Sequence, residues 1–329
     1  MHPRIRRSLL CSYALLAWVC SIGVANAEKP KSPLIKIPVN FGDAMENTPV
    51  IFHGKPLLVY NYRNDNPKTK TGDCTKDMYL KIQDLCTGQI VAKFADGYSF
   101  ANAFVDGNTM HVFASEGTNK DWFKSIYHFV STDLKTWKRE LAIPLEGNEH
   151  LFNCSVCRDE NGYLMAYESN QPVMFCFRFA QSKDLSQWNK IPGLIFTGEK
   201  KEYSACPAIR YFAPYYYVIY THAAIPGHNG WVSFMARSKD LASWELSPLN
   251  PILEACDGEG SNNSDVDLFE WEGNTYVFYA TGDQQTWGSV RVAMYPGPMK
   301  KFYESCFPKG IPMKKVSARV PTPATKTEK

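Results

Sequence analysis

Three seven-residue stretches of this chain are near copies of one another: Ser131-Thr-Asp133-Leu134-Lys-Thr-Trp137, Ser182-Lys-Asp184-Leu185-Ser-Gln-Trp188 and Ser238-Lys-Asp240-Leu241-Ala-Ser-Trp244. Their Trp residues stand 51 and 56 positions apart, a period that belongs to propellers and arrays and is too long for helical-pair or leucine-rich repeats. Each copy follows a short alternating apolar run (126–130, 173–179 and 232–236) that reads as a strand. Ser and Asp suit a tight turn because their short oxygens accept backbone amides, whereas Leu and Trp need a neighbour to cover them. A Trp recurring once per unit therefore reads as packing between successive sheets, and the three motifs are assigned to the scaffold.

Five units line up on this pattern, each opening with two strands joined at a tight turn. The pairs are 48–54 with 56–61, 101–107 with 109–114, 153–157 with 163–167, 206–211 with 215–220, and 265–271 with 274–279. Third and fourth strands follow in each unit. Asp84-Leu85-Cys-Thr-Gly88 and Tyr295-Pro-Gly-Pro-Met299 hold the motif's place in units one and five. Units of about 50 residues, rich in β-branched and aromatic side chains, predict an all-β, five-bladed β-propeller with four antiparallel strands per blade.

The ends of the chain read differently. Residues 1–7 are basic, 8–24 are mostly apolar, and Ala25-Asn26-Ala27 supplies small residues for cleavage after Ala27. That is the pattern of an export signal, and it places the mature protein outside the cytoplasm, secreted or periplasmic. The apolar run is too short to favour a span and no second one follows, so no membrane association is expected after cleavage. The organisation expected is a signal peptide at 1–27, an N-terminal extension at 28–40, the propeller at 41–306 and a flexible tail at 307–329, whose Lys-, Thr- and Pro-rich end lacks periodicity. Eight cysteines remain after cleavage (74, 86, 154, 157, 176, 206, 256 and 306), and an oxidising compartment permits disulfides among them. Cys154-Ser-Val-Cys157 has no second paired cluster and sits in an alternating strand, so neither a metal nor a cofactor is expected. The net charge is only +3, with much of the excess in the signal and the tail, which argues against a nucleic-acid partner.

Five units marked by Ser-x-Asp-Leu-x-x-Trp resemble the five-bladed propeller glycoside hydrolases, the superfamily that holds the family 43 arabinanases and xylosidases, the family 32 invertases and the family 117 neoagarobiose hydrolases. The resemblance covers roughly residues 40 to 306. It implies carbohydrate as the partner and three carboxylates from different blades at one axial mouth, acting as base or nucleophile, as acid, and as a group that tunes the acid.

Inner strands begin, and second strands end, at one face of such a disc, so only those positions converge there. Inner-strand starts offer Asp43, Glu46, Asn47, Asn102, Asn153, Glu202, Asp265 and Asp267; second-strand ends offer Tyr62, Arg63, Glu116, Glu168, His222, Asp283 and Gln284. The catalytic candidates are Asp265, Glu168 and Glu46. The sugar-binding candidates are Arg63, Asn102, Asn153, His222, Asp267, Asp283 and Gln284. Asp265 and Asp267, two apart in a strand, are expected on one face. Asp265 is the expected base, with Asn262, Asn263 and Ser264 as donors favouring its charged form; Glu168, after the apolar run 164–167, is the expected acid.

The chain departs from the family 43 pattern at three places. Glu46-Asn47-Thr48-Pro49 stands where blade one usually opens with Asp-Pro, Asn153 where a middle blade carries Asp, and Ala205-Cys206-Pro207 nearest the acid's Glu-Gly-Pro, with Glu202 just upstream. Two functions stay open at this level: an exported glycosidase of plant or algal oligo- or polysaccharide, inverting by resemblance to families 43 and 117, or a carbohydrate-binding propeller without turnover.

Overall fold

The computed structural model describes residues 31–319 apart from 43, 63–77, 119–121, 200–202, 224–226, 228–229 and 284–287. Strand β1 (Ile35–Asn40) comes first. Blade one is β2 (Met45–Phe52), β3 (Lys55–Tyr62), β4 (Tyr79–Asp84) and β5 (Ile90–Phe94). Blade two is β6 (Tyr98–Asp106), β7 (Thr109–Thr118), β8 (Trp122–Ser131) and β9 (Lys138–Ile143). Blade three is β10 (Leu151–Asp159), β11 (Gly162–Ser169), β12 (Cys176–Ser182) and β13 (Trp188–Phe196). Blade four is β14 (Ser204–Phe212), β15 (Tyr215–His222), β16 (Val232–Ser238) and β17 (Ser243–Leu246). Blade five is β18 (Asn262–Trp271), β19 (Asn274–Gly282) and β20 (Val290–Tyr295), followed by helix α1 (Met299–Ser305) and strand β21 (Lys315–Ser317). The five sheets are antiparallel throughout, as the repeat predicts.

Both ends of the chain differ from expectation. Blade five takes its outer strand from the beginning of the chain: β1 pairs antiparallel with β20, Ile37 opposite Val292. The segment expected to carry a degenerate fourth-strand motif instead leads into α1, whose Phe302 and Tyr303 are fully buried under blades four and five. Residues 315–317 of the expected tail form a fifth strand on blade four, Val316 opposite Trp244. The reason is apolar. Ile37 and Ala318 are buried, so these segments belong to the core and not to solvent.

The repeated motif does the work its composition implies. Ser131 Oγ and Ser182 Oγ accept the amides of Leu134 and Leu185 at 2.8 and 2.9 Å. The Asp133, Asp184 and Asp240 carboxylates each accept two amides further along the turn. Held this way, Leu134, Leu185 and Leu241 adopt left-handed backbone with φ of 61°, 66° and 62°. Each Trp indole then donates to that Leu carbonyl, at 3.3, 2.8 and 2.8 Å. All three rings meet the preceding blade: Trp137 stacks on Phe94, Trp188 meets Phe113 edge-on, and Trp244 lies against Phe179 and Phe196. Only Trp244 is sealed from solvent, because β21 covers that edge; the other two are half-buried.

Candidate functional site

All five inner strands break register at the same height. The breaks fall between Met45 and Thr48, Ser99 and Asn102, Leu151 and Cys154, Ala205 and Ala208, and Ser264 and Asp267. Each bulge sets two residues out of the ladder, and a bulge bends its strand and re-aims side chains. Its first residue is Glu46, Phe100, Phe152, Cys206 or Asp265 in blades one to five. Four of these hold left-handed φ, 51° at Glu46, 59° at Phe100, 53° at Cys206 and 51° at Asp265, a conformation that non-glycine residues keep where surrounding structure enforces it. The bulges bring Glu46, Cys206 and Asp265 to an axial pocket, open to solvent, that is also lined by Asn47, Asn102, Asn153 and Asp267 among others, whereas Phe100 and Phe152 pack in an apolar cluster with Met78 and Phe123.

Glu168 stands on β11 opposite the bulge of β10, in the register gap between Tyr167 and Ser169. Its Oε2 accepts from Asn153 Nδ2 at 3.1 Å and from the backbone N–H of Cys206 at 2.9 Å. The residue is only 3% exposed. Burial pushes its carboxyl up to about 8; the Cys206 amide and the Asn153 side chain pull the other way, and the charge of Asp265 adds to the rise. At neutral pH Glu168 therefore holds a proton.

Asp265 is bound differently. Ser264 Oγ donates to its Oδ2 at 2.6 Å, the Cys206 thiol donates to its Oδ1 at 2.9 Å, and its own N–H donates to Thr221 Oγ1 at 3.2 Å. Burial, with Asp265 and Glu168 close by, pushes the Cys206 thiol well above its ordinary value, so the sulfur keeps the proton it donates. Glu46 accepts from Asn61 Nδ2, and Asn47 Nδ2 donates to the Asp265 carbonyl at 3.3 Å. Asp267 accepts from Asn102 Nδ2 at 3.1 Å and pairs with Arg210 Nη2 at 2.5 Å. Arg210 is further fixed by the carbonyls of Ile209 and Leu268. Arg210→Met is expected to cost about 3–5 kcal/mol in urea unfolding, because it strands the Asp267 charge in a buried place; a loss below about 1 kcal/mol would show that Asp267 does not depend on the pair.

The structure thus brings Glu46, Glu168, Asp265, Asp267, Asn102 and Asn153 to one mouth. Other expected members stand elsewhere. His222 is fully buried, its ring packed on Tyr220 and Phe234 and not on the pocket wall, because it lies beyond the strand position that faces the axis. Asp283 is exposed just past the end of β19 and does not line the pocket. Arg63 and Gln284, and likewise Asp43, Glu202, Cys74, the signal segment and the last ten residues, lie outside the described residues. Asp265 and Asp267 both line the pocket, Asp265 as the first residue of the bulge and Asp267 as the first residue back in the ladder. Of the three expected donors to Asp265 only Ser264 serves: Asn262 Oδ1 accepts from Trp231, and Asn263 donates to Glu259. The reading of the chain missed Cys206 and Arg210 as members of the site. The seven described cysteines are free thiols. Among the described residues no three His, Cys, Asp or Glu side chains are grouped to hold a metal ion.

A five-bladed propeller with carboxylates converging on its axis has the fold shared by solved glycoside hydrolases. One such glycoside hydrolase aligns with a TM-score of 0.60 at 15% identity, over 83% of this chain and 93% of its own. The β-1,2-mannobiose phosphorylase from Listeria innocua, in complex with β-1,2-mannobiose, gives 0.56 at 15%, over 83% of this chain and 97% of its own. BlXynB, a family 43 protein from Bacillus licheniformis, gives 0.56 at 14%, over 79% of this chain and 54% of its own. No family model matches the sequence, and no curated protein does.

Proposed function

We propose that this protein is an exported glycoside hydrolase that cleaves plant or algal oligo- or polysaccharide in the axial pocket. The observation that carries this reading is Glu168: a buried carboxyl that stays protonated at neutral pH, joined through the Cys206 backbone and thiol to a second carboxylate, Asp265. Glu168 would protonate the leaving glycosidic oxygen. Asp265 would accept a proton from an attacking water, the inverting course, with Glu46 as the third carboxylate of the mouth. Similarity of fold to carbohydrate-active enzymes supports the substrate class.

The direct test is to screen the mature protein, residues 28–329, against plant and algal oligosaccharides with product detection, and to follow the anomer first formed by NMR. Release of the inverted anomer supports the proposed course, and the retained anomer overturns it. Activity is expected to fall above about pH 8, as Glu168 loses its proton. A pH–rate profile flat from pH 7 to 10 would remove Glu168 as the acid.

One observation favours a second reading, a sugar-binding propeller without turnover. Cys206 occupies the bulge position nearest the Glu-Gly-Pro of the resemblance, and its thiol occupies Asp265 Oδ1. Saturable binding of an oligosaccharide with no product after prolonged incubation would select it.

A further inference from the structure

One residue holds both carboxylates of the proposed reaction. Cys206 is the first residue of the β14 bulge, with a φ of 53°, and the bulge leaves its N–H outside the ladder with β15. That N–H donates to Glu168 Oε2 at 2.9 Å, and from the same position the thiol donates to Asp265 Oδ1 at 2.9 Å. Asn153 orients both contacts. Its Nδ2 carries two hydrogens, and the acceptors it meets are Glu168 Oε2 at 3.1 Å and the Cys206 sulfur at 3.4 Å. The sulfur therefore accepts on one side and donates on the other, with its proton pointed at Asp265.

What this does to each carboxyl follows from counting lone pairs. Glu168 Oε2 accepts from two N–H groups, which fills it, and Oε1 meets no partner among the described residues, so the proton that Glu168 holds at neutral pH sits on Oε1. An ionised Asp offers about four acceptor positions, two on each oxygen. Cys206 takes one on Oδ1 and Ser264 takes one on Oδ2, which fixes the plane of a group whose last torsion is otherwise broad. Each oxygen keeps a position for a water, so the thiol locks Asp265 without blocking it. Cys206, Asp265 and Asn153 line the axial pocket together with Asn47, which is 3% exposed and whose Oδ1 meets no donor among the described residues. A buried acceptor left open marks a place that a donor on a bound molecule completes.

We propose that Cys206 is a positioning residue for both carboxyls, its N–H leaving Oε1 of Glu168 as the oxygen that meets the leaving group and its thiol setting the plane of Asp265 for the attacking water. This rests on the proposed hydrolysis. As water bonds to the anomeric carbon its proton passes to Asp265, and the bond to the leaving oxygen breaks as that oxygen takes the proton of Glu168 Oε1. The thiol proton stays on sulfur throughout.

The test uses Cys206→Ser, Cys206→Ala and Cys206→Gly in the mature protein. All three keep the backbone N–H, Ser keeps a donor, and Gly takes the left-handed φ without strain, so a loss shared by Ala and Gly belongs to the thiol and not to the backbone. On oligosaccharides of arabinan, xylan, galactan and agarose, Ala and Gly are expected to lower kcat by about tenfold or more, as loss of a hydrogen bond to a charged group does, with KM held within about twofold and with Ser recovering most of the rate. A second readout needs no turnover. The S–H stretching band in the Raman difference between wild type and Cys206→Ser is expected at the position of a hydrogen-bonded thiol, and in Asp265→Asn it should move towards that of a free one. A kcat within about twofold of wild type in Ala and Gly, or a kcat raised as it would be if the thiol blocked Asp265, overturns this inference and leaves the proposed function standing. A band at the free-thiol position overturns it whatever the activity. If wild type cleaves none of these sugars while the band is that of a bonded thiol, the proposed function falls and takes the inference with it.

Discussion

Glu168→Gln is expected to lower kcat by about 10²–10⁴-fold on any glycoside the protein cleaves, the size of contribution a positioned general acid makes, and also to make the protein more resistant to unfolding at alkaline pH. The second effect follows from the same proton. In the native protein Glu168 holds it up to about pH 8, against an ordinary value of 4.5. Between those values the native state binds one proton more than the unfolded chain, so stability contributed at this site falls as pH rises and reaches its full deficit above pH 8. At about 1.4 kcal/mol per pH unit the deficit has a ceiling on the order of 4–5 kcal/mol. Gln keeps an oxygen for the Cys206 amide and carries no proton to lose. Urea unfolding of wild type and variant at pH 5 and pH 9 checks this: the variant should gain on wild type between the two. His128, held down to about 4 by burial, titrates with the opposite sign, but it does so equally in both proteins and cancels in the comparison. Asp265→Asn should lose turnover comparably. Losses below about tenfold in both variants, with the fold intact, would take these residues out of the mechanism and favour the binding-only reading.

The second large effect concerns the scaffold. Trp244→Ala is expected to destabilise the propeller by about 3–5 kcal/mol, as removal of a fully buried large ring does. The indole is 0% exposed, packed on Phe179 and Phe196 and covered by Val316 and Ala318. Trp137→Ala should cost clearly less, since that ring, although stacked on Phe94 at 3.8 Å, is half-exposed. Equal losses at the two positions, measured by the same denaturant titration, would show that the covering strand adds nothing.

The three motifs are indistinguishable in one dimension. The repeat made the blades legible because Ser, Asp, Leu and Trp each perform one local task that is the same in every copy. What it could not convey is the covering of one edge by a strand 72 residues further on, from Trp244 to Val316. At the mouth the same limit appears in another form. Glu168 was found because it ends an apolar strand, but the register-equivalent positions in the other blades hold Tyr60, Ala114, Tyr220 and Tyr279. No rule of composition marks that height as the axial one. Asp265 and Asp267 stand out in the sequence by their crowding and both reach the pocket, but strand alternation cannot foresee the bulge that carries Asp265 there on left-handed backbone. In sequence Cys206 is a mere gap in a motif, and a strand end does not say which way the His222 side chain turns.

The pairing of β1 with β20 has a consequence for how the molecule is made. Ile37 and its partner Val292 are 255 positions apart, among the longest loops the chain has to close. At roughly 5–20 residues per second of synthesis, β1 waits about 13–50 s for its partner to exist. Through that interval its row of amides and carbonyls is an unpaired edge, and the ring stays open until the last blade is complete. The earliest strand of the propeller to emerge is thus the one whose docking ends its assembly.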